Sequence, residues 1–137
     1  MERTLTILKP DSVSAGKAGA ILAHLEKEGF RFLALRRMRL SPEQARAFYA
    51  VHRERPFYDA LVRFMTEGPV VVAALERADA VAQLRRTMGA TDSRKAEAGT
   101  VRNLFGTDIE RNAIHGSDSK ENAVKEIAFF FSDSELV

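Results

Sequence analysis

Two hydrophobic periodicities, one of two residues and one of about 3.6, alternate along this chain, and their order limits it to folds that interleave strands with helices. Thr4-Leu5-Thr6-Ile7-Leu8 alternates polar and apolar side chains and reads as a first strand. Lys9-Pro10-Asp11 ends it, where a catalytic loop could sit. Ala18, Ile21, Leu22 and Leu25 recur at helical spacing, and Gly29 falls at a C-cap position, which predicts a helix over about residues 15–28. Phe30 to Leu40 returns to a strand pattern whose exposed face is made basic by Arg36, Arg37 and Arg39. Ser41-Pro42-Glu43-Gln44 has the N-cap serine, early proline and later glutamine of a capping box, and Ala45, Phe48, Tyr49 and His52 share the helical face that follows. Pro56 opens a second short helix with Phe57, Leu61 and Phe64 on one side, stopped by Gly68-Pro69. Val70 to Leu75 is an unbroken apolar run between turn signals, hence a buried strand, and Val81, Leu84, Arg85 and Met88 mark a helix ending at Gly89.

From Ala90 to Arg111 the periodicity dissolves into a long polar segment, which predicts a functional loop without an apolar face to anchor it. Asn112 to His115 then reads as a last short strand, and Ser119 caps a helix with Ala123, Val124, Ile127, Ala128 and Phe131 on its apolar face. The order is strand, helix, strand, helical hairpin, strand, helix, strand, helix, which holds two βαβ units in one α/β sandwich without repeat or linker. With 137 residues and 45% hydrophobic content, positions 1–137 suffice for a single domain with its own core. Twenty-one basic against nineteen acidic residues leave only +2, a balance that argues against nucleic acid as an obligatory partner. The absence of cysteine excludes disulfides, thiolate zinc sites and cysteine nucleophiles. The longest apolar runs fall far short of the roughly 20 residues of a membrane span, and Met1-Glu2-Arg3-Thr4 does not resemble a signal peptide, so a soluble cytoplasmic protein without membrane contact is expected.

Chemistry concentrates at Asn112-Ala113-Ile114-His115-Gly116-Ser117-Asp118-Ser119, where a histidine at a strand end is surrounded by small polar residues. Gly116 permits close backbone approach, and an anion arriving there would meet the amides of the following helix. Three consecutive side chains do not converge into a protease relay, whereas an imidazole with a free ring nitrogen near neutral pH suits phosphorylation. Phosphoryl transfer is catalysed chiefly by positioning and charge stabilisation, so donors should gather around it. Lys9, Arg85, Thr91 and Arg102 are the candidates, and Glu126 could orient His115 or Ser117. Taken singly, each reads as a solvated surface residue, and only the fold can bring them together. Gly16-Lys17-Ala18 is not the tail of a phosphate-binding loop, because Asp11 and Ala18 occupy its glycine and hydroxyl positions. Phe57 could stack on a base.

These residues resemble a family. Thr6-Ile7-Leu8-Lys9-Pro10-Asp11, Arg85, Thr91-Asp92, Gly99-Thr100-Val101-Arg102 and the segment around His115 look like nucleoside diphosphate kinase, over essentially the whole chain. The resemblance implies a ferredoxin-like α/β sandwich around a four-stranded antiparallel sheet in which the two βαβ units interleave, with helices covering it. It implies transfer of the terminal phosphate of a nucleoside triphosphate to a nucleoside diphosphate by a ping-pong mechanism through a phosphohistidine at His115. By the same likeness Lys9 and Asn112 contact the sugar hydroxyls, with Lys9 also near the moving phosphate. Phe57 is the stacking aromatic, flanked by Leu61 and Ile109. Arg85, Thr91, Arg102 and His52 attend the phosphates, Tyr49 lies close to the histidine, and Ser117 and Glu126 support it. Magnesium is implied, held mainly by the nucleotide's phosphates rather than by a protein cage. Stacking without edge recognition implies low base selectivity. A homo-oligomer, tetramer or hexamer, is implied as well, with contacts that include the segment from Ala90 to Arg111. There Ser93, Ala98 and Asn103-Leu104 depart from the residues usual in the family. A rival reading as an RNA-binding sheet lacks the exposed aromatics such a sheet needs on its central strands.

Overall fold

The computed structural model describes residues 1–137. Its strands are β1 (Glu2–Leu8), β2 (Arg31–Met38), β3 (Val70–Arg77) and β4 (Ile114–Gly116), and they form one antiparallel sheet of order β2-β3-β1-β4. Since β1 and β2 both run against β3, they are parallel to each other with β3 between them, and β3 and β4 stand in the same relation about β1. The two βαβ units therefore interleave, which is the expected ferredoxin-like arrangement.

Helices cover both faces of the sheet. On one face Leu5 and Ile7 of β1 pack with α3 (Pro42–Phe48), α4 (Tyr58–Thr66) and α7 (Lys120–Phe130) through Ala45, Met65 and Ile127. On the other, Leu8 packs with α2 (Ala18–Lys27), α5 (Ala80–Met88) and α6 (Val101–Phe105) through Leu25, Leu84 and Val101. Strand β3 explains its own sequence, since Val70, Val72 and Ala74 enter the first core while Val71, Ala73 and Leu75 enter the second. A strand covered on both sides has no polar alternation. The capping box is formed as read, with the Gln44 amide donating to Ser41 Oγ at 3.1 Å and the Ser41 amide to Gln44 Oε1 at 2.9 Å. No helix is long and apolar enough to cross a membrane.

Several boundaries differ from the sequence reading, among them α3, which ends at Phe48 and leaves His52 in a separate 3-10 turn, and α4, which starts at Tyr58 rather than at Pro56. The loop expected at Lys9-Pro10-Asp11 is the start of a short helix, α1 (Pro10–Ser14), and the helix expected from about 15 begins at Ala18. Five residues with one buried aliphatic side chain, Val13, are too few to register as a period. The segment 90–111 is not a bare loop, because it contains α6 and a 3-10 turn at Ser93–Lys95, and Val101 reaches the core with no exposed surface. Its anchor lies within its own chain. Finally, β4 starts two residues late, since Ala113 has φ +74 and cannot join a strand.

Gly116 of β4 passes directly under α5, and a Cβ there would lie 2.5 Å from Met88 Sδ and 2.9 Å from Leu84 Cδ2. Gly116→Ala should therefore destabilise by about 1–3 kcal/mol through overpacking. Leu84→Ala should cost about 2–5 kcal/mol through the cavity it leaves. In urea unfolding the double variant should lose less than the two losses added, because the cavity accepts the methyl group. Strict additivity would mean that the strand and helix are not in this contact.

Candidate active site

The register of β1 against β4, with Ile7 opposite His115 and Leu8 opposite Ile114, brings the two ends of the chain together and carries the pairing on to Lys9, whose amide donates to the Ala113 carbonyl at 2.9 Å. The side chains follow the backbone. Lys9 Nζ donates to Asn112 Oδ1 at 2.8 Å, and both residues are buried. Asn112 Nδ2 donates in turn to the carbonyls of Thr91 at 3.0 Å and Ile109 at 3.1 Å. One amide group thus ties the first strand to both ends of the 90–111 segment.

His115 occupies the middle of β4 and is partly exposed. Its Nε2 lies 2.9 Å from Glu126 Oε1, which also accepts from Ser117 Oγ at 2.8 Å. Ser117 is fixed from behind, because its Oγ accepts the Leu5 amide at 3.3 Å. The main chain is held too, as Thr6 Oγ1 donates to the His115 carbonyl at 2.8 Å. A carboxylate can only accept, so this contact places the ring proton on Nε2 and leaves the Nδ1 lone pair free. Phe48 and Tyr49 stand edge-on to the imidazole, with centroids 5.4 and 6.1 Å away. Burial, and behind it the Glu126 charge, pushes the Tyr49 phenol well above its ordinary value, and its hydroxyl has no partner. It stays protonated, a donor awaiting an acceptor.

The positive charge around this histidine is not neutralised. Arg102 on α6 is buried, with its guanidinium donating to the carbonyls of Gly89 at 3.1 Å and Ile114 at 2.9 Å, while its Nε has no partner. Burial first, and then Arg85, lower it to about 10. Gly89 can offer that carbonyl because its backbone, at φ +88, turns where α5 ends. Arg85 is exposed on α5 with only a 3.5 Å contact to the Gly116 carbonyl. Lys9 is lowered to about 8, chiefly by burial and secondly by Arg102. None of the three forms a salt bridge, although seven exist elsewhere. Adjacent cations that repel one another and form no direct ion pair, with Asp11 and Glu110 acting on Lys9 only at a distance, form a site prepared for a polyanion.

A cleft of about 510 Å³ opens over this group, and Tyr49, His52, Arg85, Thr91, Arg102, His115 and Glu126 all line it. Lys9, Asn112 and Ser117 are buried behind its wall. Phe57 lies outside the lining, half exposed at the start of α4, with its ring 5.5 Å from that of His52. Leu61 packs partly into the core beneath α4, and Ile109 is exposed, contributing its carbonyl to Asn112. The sequence reading missed Phe48 and Phe129, which form the aromatic wall of the cleft, and Asn122 and Lys125 beside Glu126. Positions 122, 125, 126 and 129 share one helical face of α7, so that spacing was the available signal. No three His, Asp or Glu side chains converge where they could cage a metal ion.

A family model described as nucleoside diphosphate kinase matches residues 2–136. The nucleoside diphosphate kinase of Acidiphilium cryptum is 57% identical over 136 residues, covering 99% of this chain and 97% of that protein. Among solved structures, an orthorhombic crystal form of the Aquifex aeolicus nucleoside diphosphate kinase superposes with a TM-score of 0.97 at 51% identity, covering 99% of both chains. A halophilic nucleoside diphosphate kinase from Halobacterium salinarum, in complex with CDP, gives 0.95 at 45% identity, covering 99% of this chain and 91% of that one. With a family model spanning residues 2–136 and a relative 57% identical over nearly all of its length, this chain belongs to the nucleoside diphosphate kinase family.

Proposed function

We propose that residues 1–137 act as one catalytic domain in which His115 carries the phosphate between two nucleotides, and that the free Nδ1 opposite the Glu126 contact is the atom that carries it. The contact at 2.9 Å is the observation on which this reading rests, since it both sets the tautomer and supplies a negative charge to the imidazolium that forms. Nδ1 attacks the terminal phosphorus of a nucleoside triphosphate, the bond to the bridging oxygen breaks, and the diphosphate leaves. A second diphosphate then enters the same cleft, its terminal oxygen attacks the phosphorus, and the P–N bond returns its electrons to the ring. One cleft demands this alternation, which gives ping-pong kinetics.

Lys9, Arg85 and Arg102 stabilise charge on the phosphoryl oxygens, Thr91 and His52 donate to the phosphates, and Tyr49 offers its unpaired hydroxyl to the same group. Asn112 holds Lys9 in place and shares the sugar hydroxyls with it. Phe57, flanked by Leu61 and Ile109, is the base platform, with low selectivity because every base has a π-face. The chemistry of the donor set fits magnesium that arrives on the nucleotide's phosphates, supplying charge neutralisation there. The two acids beside the cleft are engaged, Glu126 with His115 and Ser117, and Asp118 with Asn122. The protein works in the cytoplasm as a homo-oligomer, tetramer or hexamer, whose mass light scattering at assay concentration would give.

Brief mixing with ATP should add a single phosphate to the intact mass, and His115→Ala should lose both that adduct and all ping-pong transfer while still folding. Transfer retained by the folded variant would end the assignment. On the alkaline side, kcat/KM should fall as pH rises through about 8, because Lys9 then loses its charge in the free enzyme. Lys9→Ala should be slow throughout and lack that limb; a limb that survives the substitution belongs to another group. Phe57→Ala should weaken nucleotides of all four bases alike, by about 1–3 kcal/mol. A loss confined to one base would reveal an overlooked edge contact.

A further inference from the structure

Asp11 belongs to the most recognisable motif at the start of the chain, yet it does not line the cleft, and it bears on the chemistry above only through its charge, which favours the protonated form of Lys9. Its Oδ2 instead accepts the amide of Ala113 at 3.1 Å. The carbonyl of the same residue is held from the same segment, by the Lys9 amide at 2.9 Å and by Ser12 Oγ at 2.9 Å. Ser12 Oγ also bonds the Lys9 carbonyl at 3.0 Å, so the turn from Lys9 to Ser12 grips Ala113 at both of its polar groups.

Ala113 needs such a grip. With φ +74 it is one of two non-glycine residues in the left-handed region, it is fully buried, and its methyl group offers no hydrogen bond of its own to favour that conformation. The Ile114 amide donates across it to the Asn112 carbonyl at 2.9 Å, which makes it the centre of a γ-turn with positive φ, a rare and strained form. This turn separates Asn112, whose side chain holds Lys9, from His115 two residues on. Relaxation of one backbone residue would move both. Asp11 is itself maintained against a desolvation penalty, since its Oδ1 is buried without a partner and burial raises its carboxyl above the ordinary value. The amides of Ser12 and Ala113, and behind them the Lys9 charge, offset part of that penalty, and of these only the Ala113 amide comes from the distant segment before β4.

We infer that Asp11 is a positioning residue for phosphoryl transfer, holding the strained Ala113 turn so that Lys9, Asn112 and His115 keep their mutual geometry. The inference rests on the reading of His115 as the phosphate carrier. Asp11→Ala and Asp11→Asn remove the same charge, but only asparagine can still accept from the Ala113 amide, so their difference separates the accepting side chain from the charge.

In the full chain, quench-flow measurement of phosphohistidine formation at saturating ATP should show Asp11→Ala slower than the natural protein by about tenfold or more, with ADP affinity changed by less than about threefold. Asp11→Asn should be faster than Asp11→Ala by about fivefold or more. A smaller recovery, a smaller loss in Asp11→Ala, or an affinity that falls as far as the rate would overturn the proposal. If Asp11→Ala does not fold, Asp11→Asn within about tenfold of the natural rate supports it, and a slower or unfolded Asp11→Asn overturns it. A natural protein that takes up no phosphate, or a His115→Ala variant that still does, would instead defeat the His115 reading, so the two failures are separable.

Discussion

The three residue pairs between β4 and β1 carry the weight of this structure, because they are the only ladder that His115 has. A strand of three residues on a sheet edge is weakly held by backbone bonds alone. Here its continuation is fastened in both directions, by the Ser117 amide to the Leu5 carbonyl and the Leu5 amide to Ser117 Oγ, and Thr6 adds its hydroxyl to the His115 carbonyl. Leu5 lies in the centre of one core and Leu8 in the other, so the histidine is braced by both. The carrier role proposed for His115 would require such bracing, since two half-reactions must find the same atom in the same place.

The electrostatics of the cleft work against the stability of the free protein. Lys9 and Arg102 are buried beside each other, Arg85 adds a third charge, and no carboxylate forms a salt bridge with any of them. Asp11 and Glu110 act on Lys9 without touching it, and Glu126 is engaged with His115. Such an arrangement is unfavourable until a polyanion arrives, and it then needs no reorganisation to receive one. The strained turn at Ala113 belongs to the same economy, with unfavourable local terms gathered at the cleft and supported by two well-packed cores.

The polar segment 90–111 is tied to its own chain at several points. Although the segment lacks a period, Val101 is fully buried in its own core and Arg102 bonds two carbonyls of its own chain. Asn112 adds bonds to Thr91 and Ile109.

Sequence alone determined the alternation of strands and helices, the doubly covered β3, the capping box at Ser41 and the helix start at Ser119, because each follows from spacing within a few residues. It also singled out Lys9, Arg85, Thr91, Arg102, His115 and Glu126, since those residue types form motifs that can be read along the chain. What it could not supply was their convergence. Lys9 and Asn112 are separated by about a hundred positions, and only the sheet order β2-β3-β1-β4 makes them neighbours. The short helix α1, the buried Val101 and the left-handed Ala113 were likewise invisible, because five residues carry no period and a strained φ has no residue signature when alanine adopts it. The free Nδ1 of His115, the depressed Lys9 and the unpartnered Arg102 Nε are properties of burial and distance, and both exist only after two cores have closed around the sheet.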